Sequence, residues 1–218
     1  MRILPIPPAL PRHLLPGLLL TGCLAACGPD LQPEPGPPGG AGPGEVPAGV
    51  PLSHQDKGDG TFVTTVDASS SEKWIGLDLD HRQEANAAED KLWDIAFQRF
   101  HIRVRGGASG TGNVAVAVLP DVNLAQVSQA PAERYTTDAA DGDDSNSELD
   151  TAFETAAEGW YSYNVGTHKL SPRERVYVIR TDEGAFFKVQ ILEYYDSAGT
   201  PAILQVHWGS VQPPSPRE

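Results

Sequence analysis

Residues 176–208 read VYVIRTDEGAFFKVQILEYYDSAGTPAILQVHW. Three β-branched and aromatic runs stand in this stretch: Val176–Thr181, Phe186–Tyr195 and Ile203–Trp208. Asp182-Glu183-Gly184 separates the first pair and Asp196-Ser197-Ala198-Gly199 the second. Both separators are hairpin turn signals, because Gly and Asp tolerate the backbone twist that a tight reversal needs. Three strands joined by two short turns make an antiparallel meander. In the third strand the alternation sets His207 on a face with Ile203 and Gln205, opposite Leu204, Val206 and Trp208.

Upstream, the same reading repeats with less regularity. Trp160–Tyr163 is a short β run. Asp138–Asp150 (DAADGDDSNSELD) is an acidic loop whose Asp141, Asp143, Asp144 and Glu148 lack the ligand spacing of a calcium loop, and it reads as a solvated charge run. Leu149–Ala157 suits a short helix. Asn113–Leu119 (NVAVAVL) looks buried on both faces. Phe100–Val104 alternates, with Phe100, Ile102 and Val104 on one face and His101, Arg103 and Arg105 on the other. Between those two strands, Gly106–Gly112 is a loop. Trp93–Phe97, Trp74–Leu79 and Thr61–Val66 complete the set, with residues 80–91 as a loop or a single helical turn. The chain reads as all-β, mostly antiparallel, with at most one or two short helices.

Before residue 56 the composition changes. Residues 28–51 hold eight Pro and seven Gly and no aromatic residue. Such a stretch buries too little surface to offset chain entropy and is expected to be a disordered tether. Residues 1–26 have the layout of a secretory signal, with Arg2 and Arg12 ahead of an apolar run, Leu14–Ala26, too short to span a bilayer. Leu24-Ala25-Ala26-Cys27 resembles a bacterial lipobox, with Cys27 as the lipidated residue and Cys23 as the alternative. The expected organisation is 1–26 lipoprotein signal peptide, 27–55 lipid-anchored tether, 56–212 β domain and 213–218 disordered tail, in a bacterial cell envelope at its outer membrane.

Composition excludes several functions. With 16 Lys and Arg against 29 Asp and Glu the net charge is −13, which argues against binding nucleic acid. The two cysteines precede the β region, which excludes a disulfide framework, a cysteine zinc site and a cysteine nucleophile there. GxSxG, HExxH and GxxxxGK[ST] are missing, and the Gly-rich loop at 106–112 lacks a following helix to hold phosphate. No run of apolar residues is long enough for a transmembrane helix. The chain reads as a binding protein and not an enzyme.

The lipobox, the tether, Trp93-Asp94-Ile95-Ala96-Phe97 leading to Arg99 and Gly106-Gly107, and the end of the chain with Val176–Thr181, Gly184, Phe187–Gln190 and Tyr194-Tyr195 together resemble the HmuY-like haem-binding lipoproteins. The similarity runs over roughly residues 60–210. It implies an all-β haemophore at the outer membrane that takes up haem and passes it to an outer-membrane receptor, with two His side chains on the iron. Gln98 follows WDIAF here, and residues 102–167 hold neither His nor Met. The axial ligands therefore fall to His101 with His168, or His101 with His207. Trp160, Tyr161 and Tyr163 would cover the porphyrin, and Arg103 and Arg105 would meet its propionates. The alternative is an interaction or structural envelope lipoprotein on the same fold that no longer binds haem.

Overall fold

The computed structural model describes residues 50–89, 91–140, 150–155 and 159–216. Cys23, Cys27, the signal region, most of the tether and the acidic stretch with Asp141, Asp143, Asp144 and Glu148 lie outside the described residues.

Two antiparallel sheets enclose the core. The larger contains β1 (Leu52–Asp56), β2 (Thr61–Asp67), β7 (Ala115–Pro120), β10 (Arg175–Arg180), β11 (Phe186–Tyr195) and β12 (Pro201–Ser210), in the order β1-β2-β12-β11-β10-β7. The smaller contains β3 (Ile75–Asp78), β4 (Gln83–Asn86), β5 (Ile95–Gln98) and β6 (His101–Val104), in the order β4-β3-β5-β6. A separate hairpin joins β8 (Tyr161–Asn164) to β9 (Lys169–Pro172). The meander is present: β10 pairs with β11 and β11 with β12, both antiparallel, with a register shift between Ile191 and Tyr195.

The period-2 patterns decide what each sheet buries. Ala202, Leu204, Val206 and Trp208 of β12 point inward together with Val189 and Ile191 of β11. They meet Leu77, Ile95, Phe97, Ile102 and Val104 of the smaller sheet in one cluster. Burying an aliphatic side chain of this size is worth roughly 1.5–3 kcal/mol. Trp208 also donates its Nε1 proton to Thr64 Oγ1 at 2.7 Å, which satisfies a polar atom that burial would otherwise penalise.

The outer face of the larger sheet is partly covered. A 3-10 turn, Leu124–Gln126, is capped by Asn123 and places Leu124, Val127 and Ala130 on Val176 and Val178. Lys188 Nζ donates to the carbonyls of Leu124 and Val127 at 3.0 and 2.8 Å, and Gln190 Oε1 accepts from Leu124 N at 3.0 Å.

Three strands went unread in the sequence. Leu52–Asp56, within the stretch taken as tether, is β1 and pairs with β2 along its full length. Gln83–Asn86, within the expected loop or helical turn, is β4, and Lys169–Pro172 is β9. The described part of the expected Leu149–Ala157 helix forms a bridge at Asp150 and turns at 152–154 instead. Its Glu154 is drawn to the edge of β6. Of the four loop glycines, Gly107 has positive φ, at 64°, and a Cβ there would collide with the Asp138 carbonyl. The tail residues Pro213 and Ser215 accept hydrogen bonds from Gln129 Nε2 at 3.1 and 2.9 Å.

Candidate functional site

β6 is an edge strand, and its unpaired N–H groups need acceptors. Two carboxylates supply them. Glu154 Oε1 accepts from Ile102 N at 3.0 Å, and Asp138 Oδ2 accepts from Val104 N at 2.9 Å. Glu154 uses its second oxygen, Oε2, to accept from His101 Nδ1 at 2.9 Å. A carboxylate oxygen is an acceptor, so Nδ1 carries a proton and donates it. His101 also lies against Phe100, with ring centroids 4.0 Å apart.

Aromatic contacts run from there to the β8–β9 hairpin. Phe100 meets Tyr161 edge-on at 6.0 Å, and Tyr161 meets Trp160 at 4.9 Å. Trp160 is buried, donates Nε1–H to the Phe100 carbonyl at 2.9 Å and leans on Tyr194 at 5.6 Å. Tyr195 Oη in turn accepts from Leu170 N at 3.1 Å, which fixes β9 to β11. Tyr163, two residues beyond Tyr161 on β8, is 51% exposed, and its hydroxyl lies 2.6 Å from His168 Nδ1. His101 thus lies at the Phe100 end of these ring contacts, and His168 lies against Tyr163 in the β8–β9 hairpin. Both adjacent turns hold a non-glycine residue in the left-handed region: Arg99 at φ 56° and His168 at φ 55°. Such positions are strained for an L-residue and cluster at functional sites.

His207 is elsewhere. It lies on the outer face of β12 across from Gln190 and Val63. Its Nε2 is 2.9 Å from Thr61 Oγ1, and burial lowers its pKa. The two arginines are also engaged away from the aromatic run. Arg103 stacks over Trp74 and Trp93, at 4.0 and 5.1 Å from the ring centroids. Arg105 donates to the Trp93 carbonyl at 2.8 Å and pairs with Asp182.

The sequence reading missed Glu154, Asp138 and the Asp78–Asp80–Asp94 group. Glu154 meets His101 across 53 positions, and no local spacing announces such a contact. Asp138 is 2% exposed, and burial pushes its carboxyl up to about 7. The same cause, reinforced by Asp80 and Asp78, holds Asp94 at about 7. Among the described residues no helix is long and apolar enough to cross a membrane.

Comparison with known proteins places this arrangement. No curated protein matches the chain. The fold matches a protein of Bacteroides fragilis assigned as a lipoprotein, with TM-score 0.55 and 17% identity, covering 75% of this chain and 96% of that one. It matches one of Bacteroides vulgatus assigned as an HmuY-like haem-binding protein, with TM-score 0.53, 14% identity and coverage of 73% and 96%. The apo HmuY analogue of Tannerella forsythia gives TM-score 0.53 and 15% identity, covering 75% and 97%. At such identities these likenesses show the fold. The family model described as HmuY protein matches residues 70–208, well over half of the sequence, and the chain therefore belongs to the HmuY family.

Proposed function

We propose that this protein captures haem at the aromatic end of the sandwich, with His101 and His168 as the iron ligands. The observation that carries the reading is the commitment of Nδ1 in both imidazoles, to Glu154 in one and to Tyr163 in the other. A metal-bound His characteristically gives its second nitrogen to a carboxylate or similar partner, which fixes the tautomer and aims the ligating nitrogen. His101 fits that pattern through the Glu154 carboxylate, and His168 fits it when its Nδ1–H donates to the Tyr163 hydroxyl. His207 does not, since Thr61 holds its Nε2. His101 and His168 would hold haem through imidazole nitrogen, and the iron would supply the Lewis acid they bind.

The chain's own residues do the rest. Glu154 keeps His101 in the ligating tautomer. Phe100, Tyr161 and Tyr163 offer ring surface beside the porphyrin, and Trp160 anchors the turn that carries Phe100. Two shallow clefts over β7, one with Leu119, Val122 and Val127 and the other with Val118, Pro131 and Arg134, contain no His and are not the site we favour. In this reading Cys27 tethers the head to the outer membrane, the protein performs no chemistry on its cargo, and haem passes on to an outer-membrane receptor. Arg103 and Arg105 would reach propionates only by leaving Trp74 and Asp182.

Titrating the purified protein with haem tests the reading. A saturable, sharp Soret band is expected, weakened by at least about tenfold in affinity in His101→Ala and His168→Ala and unchanged in His207→Ala. A flat titration of the parent protein would defeat the proposal in favour of an interaction lipoprotein on the same fold.

A further inference from the structure

The opposite end of the smaller sheet carries a second cluster. Asp78 is the last residue of β3, Asp80 lies two residues on in the turn that follows, and Asp94 immediately precedes the neighbouring β5. Each offers one carboxylate oxygen, and the three oxygens lie within 4.8 Å of one another. Oxygens on opposite sides of a calcium ion, at 2.3–2.6 Å each, are separated by about 5 Å, so one ion can touch all three.

Two of these acids are buried, Asp78 at 2% and Asp94 at 4% exposure. Their positions are fixed from behind. Leu79 N donates to Asp94 Oδ2 at 2.8 Å. His81 N and Nδ1 lie 2.9 and 3.0 Å from the Asp78 carboxylate, with Gln83 Nε2 at 3.3 Å. The neighbouring cation, Arg105, is paired with Asp182. A second observation comes from the turn between β10 and β11. Thr181, 3% exposed, faces Asp80 with its hydroxyl, yet Oγ1 makes no hydrogen bond of proper geometry. A buried hydroxyl in that state, aimed at the carboxylates, offers a fourth oxygen to an ion held by them.

We infer that Asp78, Asp80, Asp94 and Thr181 form a calcium site that joins the end of the smaller sheet to the β10–β11 turn. Hard oxygen donors suit Ca²⁺, and the irregular set, drawn from one strand end and three connecting segments, suits its flexible coordination better than the octahedron of Mg²⁺. The ion would neutralise carboxylates that otherwise repel one another in a partly dry pocket.

Titration calorimetry and thermal melts of the chelator-treated full chain test this. With CaCl₂ a Kd below about 1 mM is expected, the range of extracellular calcium modules, together with a rise of several degrees in Tm over EDTA. Asp80→Asn, at the least buried of the three acids, should weaken binding by about tenfold or more. Thr181→Val should weaken it severalfold while leaving the far-ultraviolet spectrum intact. Equal melting in CaCl₂ and EDTA overturns the inference. So does an equal shift from MgCl₂ at matched ionic strength, or an Asp80→Asn variant with parental affinity.

Discussion

Replacing Glu154 separates its two jobs. In Glu154→Ala the Ile102 N–H, at a residue with 0% exposure, loses its acceptor, and His101 loses its partner. An orphaned buried donor costs about 1–3 kcal/mol, and a hydrogen bond to a charged group contributes about 1.5–3 kcal/mol. The expected loss is about 3–5 kcal/mol, a large share of a stability that is about 5–15 kcal/mol for a domain. With a urea m-value of about 2 kcal/mol/M, the midpoint should fall by about 2 M. Glu154→Gln behaves differently. Its amide oxygen still accepts from Ile102 N, so the midpoint should fall by only about 0.5 M. Its amide N–H then faces His101 Nδ1, which must accept, and the imidazole proton moves to Nε2. That tautomer cannot ligate iron through Nε2, so haem affinity should fall at least about tenfold in a variant that is still folded. Urea unfolding followed by tryptophan fluorescence, paired with haem titration, reads both effects. Equal destabilisation by Gln and Ala, or parental haem affinity in Glu154→Gln, would refute the reasoning.

Further expectations rest on other contacts. Burial raises the Asp138 carboxyl to about 7, so the native state keeps a proton that the unfolded chain releases near pH 4. Stability contributed by that protonated form is present at low pH and falls by up to about 4 kcal/mol as pH rises from about 4 to about 7. Asp138→Asn should keep the Val104 hydrogen bond and remove this fall, which a series of urea midpoints across pH checks; a parent curve parallel to the variant's would contradict it. Trp208→Phe removes the donor to Thr64 Oγ1 and part of a ring packed between Phe62 and Phe187, and should cost about 2–3 kcal/mol by calorimetry. Arg103→Lys weakens the cation–π contacts with Trp74 and Trp93 and should cost about 1 kcal/mol in urea while leaving haem affinity unchanged; a fall in affinity would place Arg103 at the cargo.

The strands with a strong period-2 pattern were legible in the sequence because burial writes that pattern. β10, β11 and β12 are flanked on both sides in the larger sheet, and β12 alternates Leu204, Val206 and Trp208 inward against Gln205 and His207 outward. The strands left unread are weakly patterned. β1 reads LSHQD and buries only Leu52, and β4 reads QEAN and buries only Ala85. Each ends a sheet, where one neighbour suffices and polar side chains blunt the free edge. His101 and His168 stood out as residue types. Their partners did not, because the Glu154 contact depends on where the chain after Asp150 folds back, and the ring contacts depend on how the β8–β9 hairpin docks. Arg103 and Arg105, on the face opposite Ile102 and Val104, were expected to meet propionates. Trp74, Trp93 and Asp182 occupy them, through tertiary contacts that sequence spacing does not encode.

Two imidazoles, those of His101 and His168, hold one haem iron in the proposed complex. The electronic spectrum of the ferric complex tests it most directly, since it reports how many strong axial ligands the iron has. A six-coordinate low-spin spectrum is expected for the parent protein, turning to five-coordinate high-spin in either single alanine variant and unaffected by His207→Ala. A spectrum that survives both His101→Ala and His168→Ala, or no complex in the parent, would contradict the account.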